Sequence, residues 1–200
     1  MRVLGIDPGS RITGFGLIEG DGRSCRAVVT GTIRLGDGPL AGRLLHLHVT
    51  LSALLSKHKP TVVAIEGIFS QRAPRSALIL GHARGVAMLC AAQAELPVFE
   101  YPPATVKRSL TSGGAASKGG VARAVAMVLG LRETLAVDAT DALAVAICHL
   151  SRTRGPGGRQ VSGVRGPGDG PSAWLRALAA SPPRRQTPQN ALLEMVARRR

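Results

Sequence analysis

The sequence predicts an α/β domain with a mixed five-stranded sheet flanked by helices, followed by a basic, disordered tail. Three observations carry this. Strand patterns come first, in three consecutive runs separated by turn residues. Apolar strands then alternate with helical spacings, and past about residue 152 the composition shifts to arginine, proline and glycine. The domain is expected over 1–152 and the tail over 153–200.

RVLGID, ITGFGLIE and CRAVVTGTIR, divided by a Pro-Gly-Ser turn and a GDGRS turn, read as an antiparallel meander. Over 39–58, leucines at 40, 44, 47, 51 and 54/55 have helical spacing, and Pro60 stops the helix. TVVAIE, at 61–66, is a near-continuous apolar run, the pattern of a central strand covered on both faces. The basic stretch GIFSQRAPRS reads as a loop before a helix over about 77–94, whose Gly81 and Gly85 suit close packing against another helix. LPVFEY is a short strand, and PPATVKRSL starts a short helix. TSGGAASKGG has four glycines in ten residues and is expected to be mobile. Helices are expected over about 120–129 and from near Asp138 through DALAVAICHL.

Two hundred residues suffice for one substantial core and not for two large domains. A formal charge of +14 predicts an anionic partner, a nucleic acid or an acidic surface. Residues 151–200 hold ten arginines and two acids, a net +8, which leaves +6 for residues 1–150. Cys25, Cys90 and Cys148 are widely spaced among apolar neighbours, which favours reduced core thiols in a cytoplasmic protein over a disulfide or metal framework. No secretory h-region and no charge-free apolar run of about 18 residues is present, so no membrane span is expected.

Four acids sit in unusual places. Asp7 ends the first strand and Glu66 ends the most apolar one, so the two meet if those strands are neighbours. Asp138 and Asp141, three residues apart at a helix start, share one face. Each has a structural explanation: a solvated Asp-Pro-Gly turn for Asp7, an arginine partner for Glu66, a capping-box-like start for the pair. What would unite all four is a divalent cation such as Mg²⁺, which takes carboxylate oxygens and keeps waters for a phosphate to displace. Two such ions about 4 Å apart activate a water and stabilise the leaving oxygen of a phosphodiester. A basic protein with an acidic pocket is then coherent, since cations let carboxylates and a DNA backbone meet.

LGIDPGSRITGFG, AIEGIF, the ARGVAML helix, VFEYPPATVKRSL, SK and DATDALAVA stand in an order and at spacings that resemble the RuvC family of Holliday-junction resolvases, within the ribonuclease H-like superfamily. The resemblance covers about residues 1–150. It implies a ribonuclease H-like fold and a homodimeric endonuclease that nicks two strands of like polarity at a four-way DNA junction with Mg²⁺ or Mn²⁺, alongside a branch-migration motor complex. The family's metal-binding acids fall on Asp7, Glu66, Asp138 and Asp141, and Phe69 matches an aromatic that stacks on bases at the junction centre. Lys107 and Lys118 match lysines near the scissile phosphate, Lys118 from a loop that would move toward it. Arg72 and Arg75, in the basic stretch beside Phe69, are expected DNA contacts, and the helix around Arg84–Ala92 matches the dimer contact. The chain departs from the family pattern around Lys118, where SGGAA and GG replace G-x-G-x-A and a following glutamine, and in its tail of about 50 residues.

Two other readings compete. An actin-like or sugar-kinase phosphotransferase also opens with an Asp-x-Gly hairpin but needs roughly twice this length. A basic DNA-binding module would use the charge alone and leave the four acids without a purpose.

Overall fold

The computed structural model describes residues 1–21, 23–67, 74–110 and 118–153, with the side chains of 74, 75 and 118 left aside. Phe69, Arg72, residues 111–117 and the tail past 153 lie outside the described residues. The elements run β1 (Arg2–Asp7), β2 (Ile12–Gly20), β3 (Cys25–Arg34), α1 (Leu40–His58), β4 (Val62–Glu66), α2 (Pro74–Gln93), β5 (Val98–Tyr101), α3 (Pro103–Leu110), α4 (Lys118–Leu129) and α5 (Val137–Arg152).

The sheet is five-stranded in the order β3-β2-β1-β4-β5. β1, β2 and β3 pair antiparallel, while β4 and β5 are parallel to β1, which makes the sheet mixed as the sequence predicts. Successive strand residues point to opposite faces, so alternation sorts the core into two layers. Leu4, Ile6, Leu17, Val63 and Ile65 pack with Leu47, Leu51 and Leu55 of α1 and Ala83, Ala87 and Cys90 of α2. Val3, Ile18, Val62 and Ala64 pack on the other face with Val106 of α3, Val121 and Val125 of α4, and the buried length of α5.

Two helix starts differ from expectation, and the start of α5, near Asp138 as expected, bears on the role of its acids. α2 begins at Pro74, three residues early, because proline suits the first helical position, where its missing N–H costs nothing. α4 begins at Lys118, so the end of the expected mobile stretch is helical despite Gly119 and Gly120, and Val121, Val125 and Leu129 supply the packing that outweighs their low propensity. α5 begins at Val137 with Ala136 as its N-cap and no side-chain cap, which removes the capping-box explanation of Asp138 and Asp141.

The tightest packing is between α5 and the centre of the sheet. A methyl group built on Gly14 would lie 1.8 Å from the carbonyl oxygen of Asp138, and one on Gly5 would lie 2.0 Å from that of Ala142. Gly5 pairs with Gly16, and Gly14 with Asp7, so these glycines form one patch on the α5 face. Gly42, on the outside of α1, meets nothing within 4 Å. Gly14→Ala is therefore expected to cost about 3 kcal/mol or more by displacing α5, and Gly42→Ala to stabilise by about 0.5–1 kcal/mol. Urea denaturation of the two variants checks this, and equal effects would mean that α5 does not depend on the patch.

Candidate metal and nucleic-acid site

Asp7 and Glu66 reach the same point because β1 and β4 are adjacent and in step. Ile6 pairs with Ile65, so the next residue of each strand is an acid at the same end of the sheet. Val3, Gly5 and Asp7 face α5 on β1, as Val62, Ala64 and Glu66 do on β4. The turn between β1 and β2 keeps Asp7 against this layer: Gly9 N–H donates to the buried Thr13 hydroxyl at 3.4 Å. A methyl group on Gly9 would lie 1.7 Å from the carbonyl oxygen of Ile12.

α5 brings the second pair. Its first turn lies on Gly14, the cross-strand partner of Asp7, which sets Asp138 and, one turn on, Asp141 beside that acid. Farther along α5, the Tyr101 hydroxyl and His149 Nδ1 are hydrogen-bonded at 2.7 Å inside the core. Burial pushes His149 down to about 4 and Tyr101 up to about 12, so both are neutral at physiological pH, and the pair ties α5 to the strand next to Glu66.

The acids act on one another. The Asp7 carboxyl is pushed up to about 9, first by burial, then by its side-chain hydrogen bond to Glu66 and by the negative charges of Glu66, Asp141 and Asp138. Three of the sequence-predicted acids thus act directly on the fourth. Among the described residues no three His, Cys, Asp or Glu side chains close into a ready-made ligand cluster. The donor set fits a hard divalent cation: it is all carboxylate, and Asp7 takes up a proton where a cation would otherwise supply positive charge.

The other predicted residues lie on helices or go undescribed. Lys107 is exposed on α3, which leaves the sheet two residues after β5. Lys118 is the first residue of α4, not part of a loop. Arg75 lies in the first turn of α2. Sequence reasoning missed Arg11 and Arg34, which the β2–β3 register brings to the same end of the sheet as Asp7, with Arg11 ion-paired to Asp37 at 3.0 Å and both side chains exposed. Only the pairing reveals them, since Leu35 N–H donates to the Arg11 carbonyl across the strand ends.

Comparison with known proteins follows the same lines. A family model described as "Crossover junction endodeoxyribonuclease RuvC" matches residues 3–149. The chain belongs to the RuvC family. The RuvC of Myxococcus xanthus is 54% identical over 158 residues, 77% of this chain and 82% of that protein. The RuvC of Alkalilimnicola ehrlichii is 50% identical over 149 residues, 74% and 90% of the two chains. Among solved structures, Thermus thermophilus RuvC in complex with Holliday junction substrate matches with TM-score 0.70 and 31% identity, covering 77% of this chain and 95% of that one. The yeast mitochondrial resolvase Ydc2 shares the fold at 14% identity and TM-score 0.53. The ribonuclease H-like fold implied by the sequence resemblance is thus the fold of the RuvC structures.

The proton on Asp7 makes the metal-free protein pH-sensitive. Between about 4 and about 9 the folded state holds a proton that the unfolded state has released, so stability falls as pH rises through that window. Thermal melts in a chelator are expected to show that fall in the wild type and a flatter profile, with a higher Tm at pH 8, in Asp7→Asn. Parallel profiles would remove Asp7 from the charge cluster.

Proposed function

We propose that the chain is a Holliday-junction resolvase, a hydrolase that nicks two strands of like polarity at a four-way DNA junction. The observation that carries this is the convergence of Asp7, Glu66, Asp138 and Asp141 at one end of a RuvC-type sheet in a chain of net charge +14. Magnesium or manganese, two ions per site, would be held by these four acids and would supply Lewis acidity and an activated water. With such ions bound, Asp7 would be held as a carboxylate, and the positive charge between the acids and the DNA backbone would let a phosphate approach. In this reading Lys107 and Lys118 would act near the scissile phosphate and Phe69 would stack on bases at the junction centre, the roles that the family resemblance implies for them. Arg11 and Arg34 would form a cationic rim for the junction arms, and Arg72 and Arg75 are further proposed DNA contacts.

A homodimer presents two such sites to symmetry-related strands, which accounts for paired nicks. α2 supports this reading. Leu78 and Leu89 are 64% and 51% exposed on it, and Gly81 and Gly85 have open space where a Cβ would stand. Such a face suits a second copy. A branch-migration motor is the expected partner in the cytoplasm, and the basic tail would add non-specific DNA affinity or bind a partner. No described helix is long and apolar enough to cross a membrane. The phosphotransferase reading loses its ground, because one RuvC match occupies residues 3–149.

In a cleavage assay, a synthetic four-way junction is expected to be nicked only with Mg²⁺ or Mn²⁺, while linear duplex of the same sequence stays intact. Asp7→Asn is expected to bind the junction with near wild-type affinity and to cleave at least 100-fold more slowly, about 2.7 kcal/mol in barrier. Metal-independent binding without nicks by the wild type would favour the DNA-binding module. Leu89→Arg is expected to shift the protein to a monomer in sedimentation analysis, and an unchanged mass would exclude this face from the dimer.

A further inference from the structure

The Arg84–Glu100 ion pair has no place in the site so far, and it lies directly behind Glu66. Arg84 of α2 donates from Nε to Glu100 Oε1 and from Nη2 to Glu100 Oε2, both at 2.7 Å. This is the parallel fork that fixes both side chains in one plane. The two side chains are only 25% and 19% exposed. A pair at this depth returns little net stability, because desolvation offsets much of the attraction, so its directional restraint is the more informative property.

That restraint acts on the chain next to Glu66. Glu100 pairs with Ile65, and Tyr101 with Glu66, across β4 and β5. Gly67 N–H donates to the Tyr101 carbonyl at 2.9 Å, which extends this pairing one residue past the acid. A Cβ built on Gly67 would lie 3.3 Å from Glu100 Cγ and 3.4 Å from Glu100 Oε1. The Glu100 side chain therefore lies over the Gly67 backbone on the α2 side, and Glu66 projects from the opposite side toward Asp7. With Arg84 gripping both oxygens, Glu100 cannot rotate away, and the peptide after Glu66 is held from behind.

We infer that Arg84 and Glu100 are positioning residues for the active site: their bidentate ion pair braces Gly67 and so fixes the direction in which Glu66 offers its carboxylate to a divalent cation. The inference rests on the reading of Glu66 as a metal-binding acid. Supports of this kind behind a metal ligand are worth about 10-fold to 100-fold in metal affinity or activity.

The test uses Arg84→Lys, which keeps the charge and loses the fork, and Glu100→Gln, which keeps the shape and loses the charge. Mn²⁺ affinity of the junction-free full chain is read by electron paramagnetic resonance, junction Kd is measured in chelator, and cleavage is measured at saturating junction. Both variants are expected to bind Mn²⁺ and to cleave about 10-fold to 100-fold less well, with junction Kd in chelator unchanged in Glu100→Gln. Wild-type Mn²⁺ affinity in both variants, with only Tm lowered, would reduce the pair to a structural tie and overturn the inference. Failure of the wild type itself to bind Mn²⁺ would instead overturn the metal reading of Glu66, so the two failures are distinguishable.

Discussion

The close seating of α5 on a patch of glycines is the constraint on which the site depends. Gly5, Gly14 and Gly16 leave the middle of β1 and β2 without side chains on one face, and the α5 backbone occupies that space. With side chains in place of these glycines, α5 would be held off the sheet, and Asp138 and Asp141 would stand farther from Asp7. Contact of helix backbone with strand backbone brings carboxylates from β1, β4 and α5 within mutual electrostatic reach.

Bringing like charges together costs energy, and the metal-free molecule meets that cost by keeping Asp7 protonated. The same cost is useful. A site that is unfavourable when empty has strong reason to accept a divalent cation, and a site neutralised by cations accepts a phosphate. In the proposed function the net charge of +14 works with the carboxylates instead of against them, since a basic rim would gather DNA and the acidic centre would act through bound cations.

Much of this was legible in the sequence, for physical reasons. Acids ending two apolar strands are conspicuous, and parallel pairing of neighbouring strands brings them together almost automatically, as with Ile6 opposite Ile65. The Asp138–Asp141 spacing fixed a shared helix face, but capping and metal binding could not be separated until the helix start was located at Val137. ITGFG showed two glycines at strand spacing without showing what they face. The Arg84–Glu100 pair left no trace, because two residues 16 apart on a helix and a strand have no periodic signature. Arg11 and Arg34 were hidden for the same reason: only cross-strand register makes them neighbours of the site.

The most direct measurement of the central claim is a crystal structure of the full chain soaked in Mn²⁺, with anomalous scattering recorded at the manganese edge. The account predicts anomalous peaks enclosed by the carboxylates of Asp7, Glu66, Asp138 and Asp141, with none in crystals of Asp7→Asn grown alongside. Peaks held by other residues, or peaks that persist unchanged in Asp7→Asn, would contradict it.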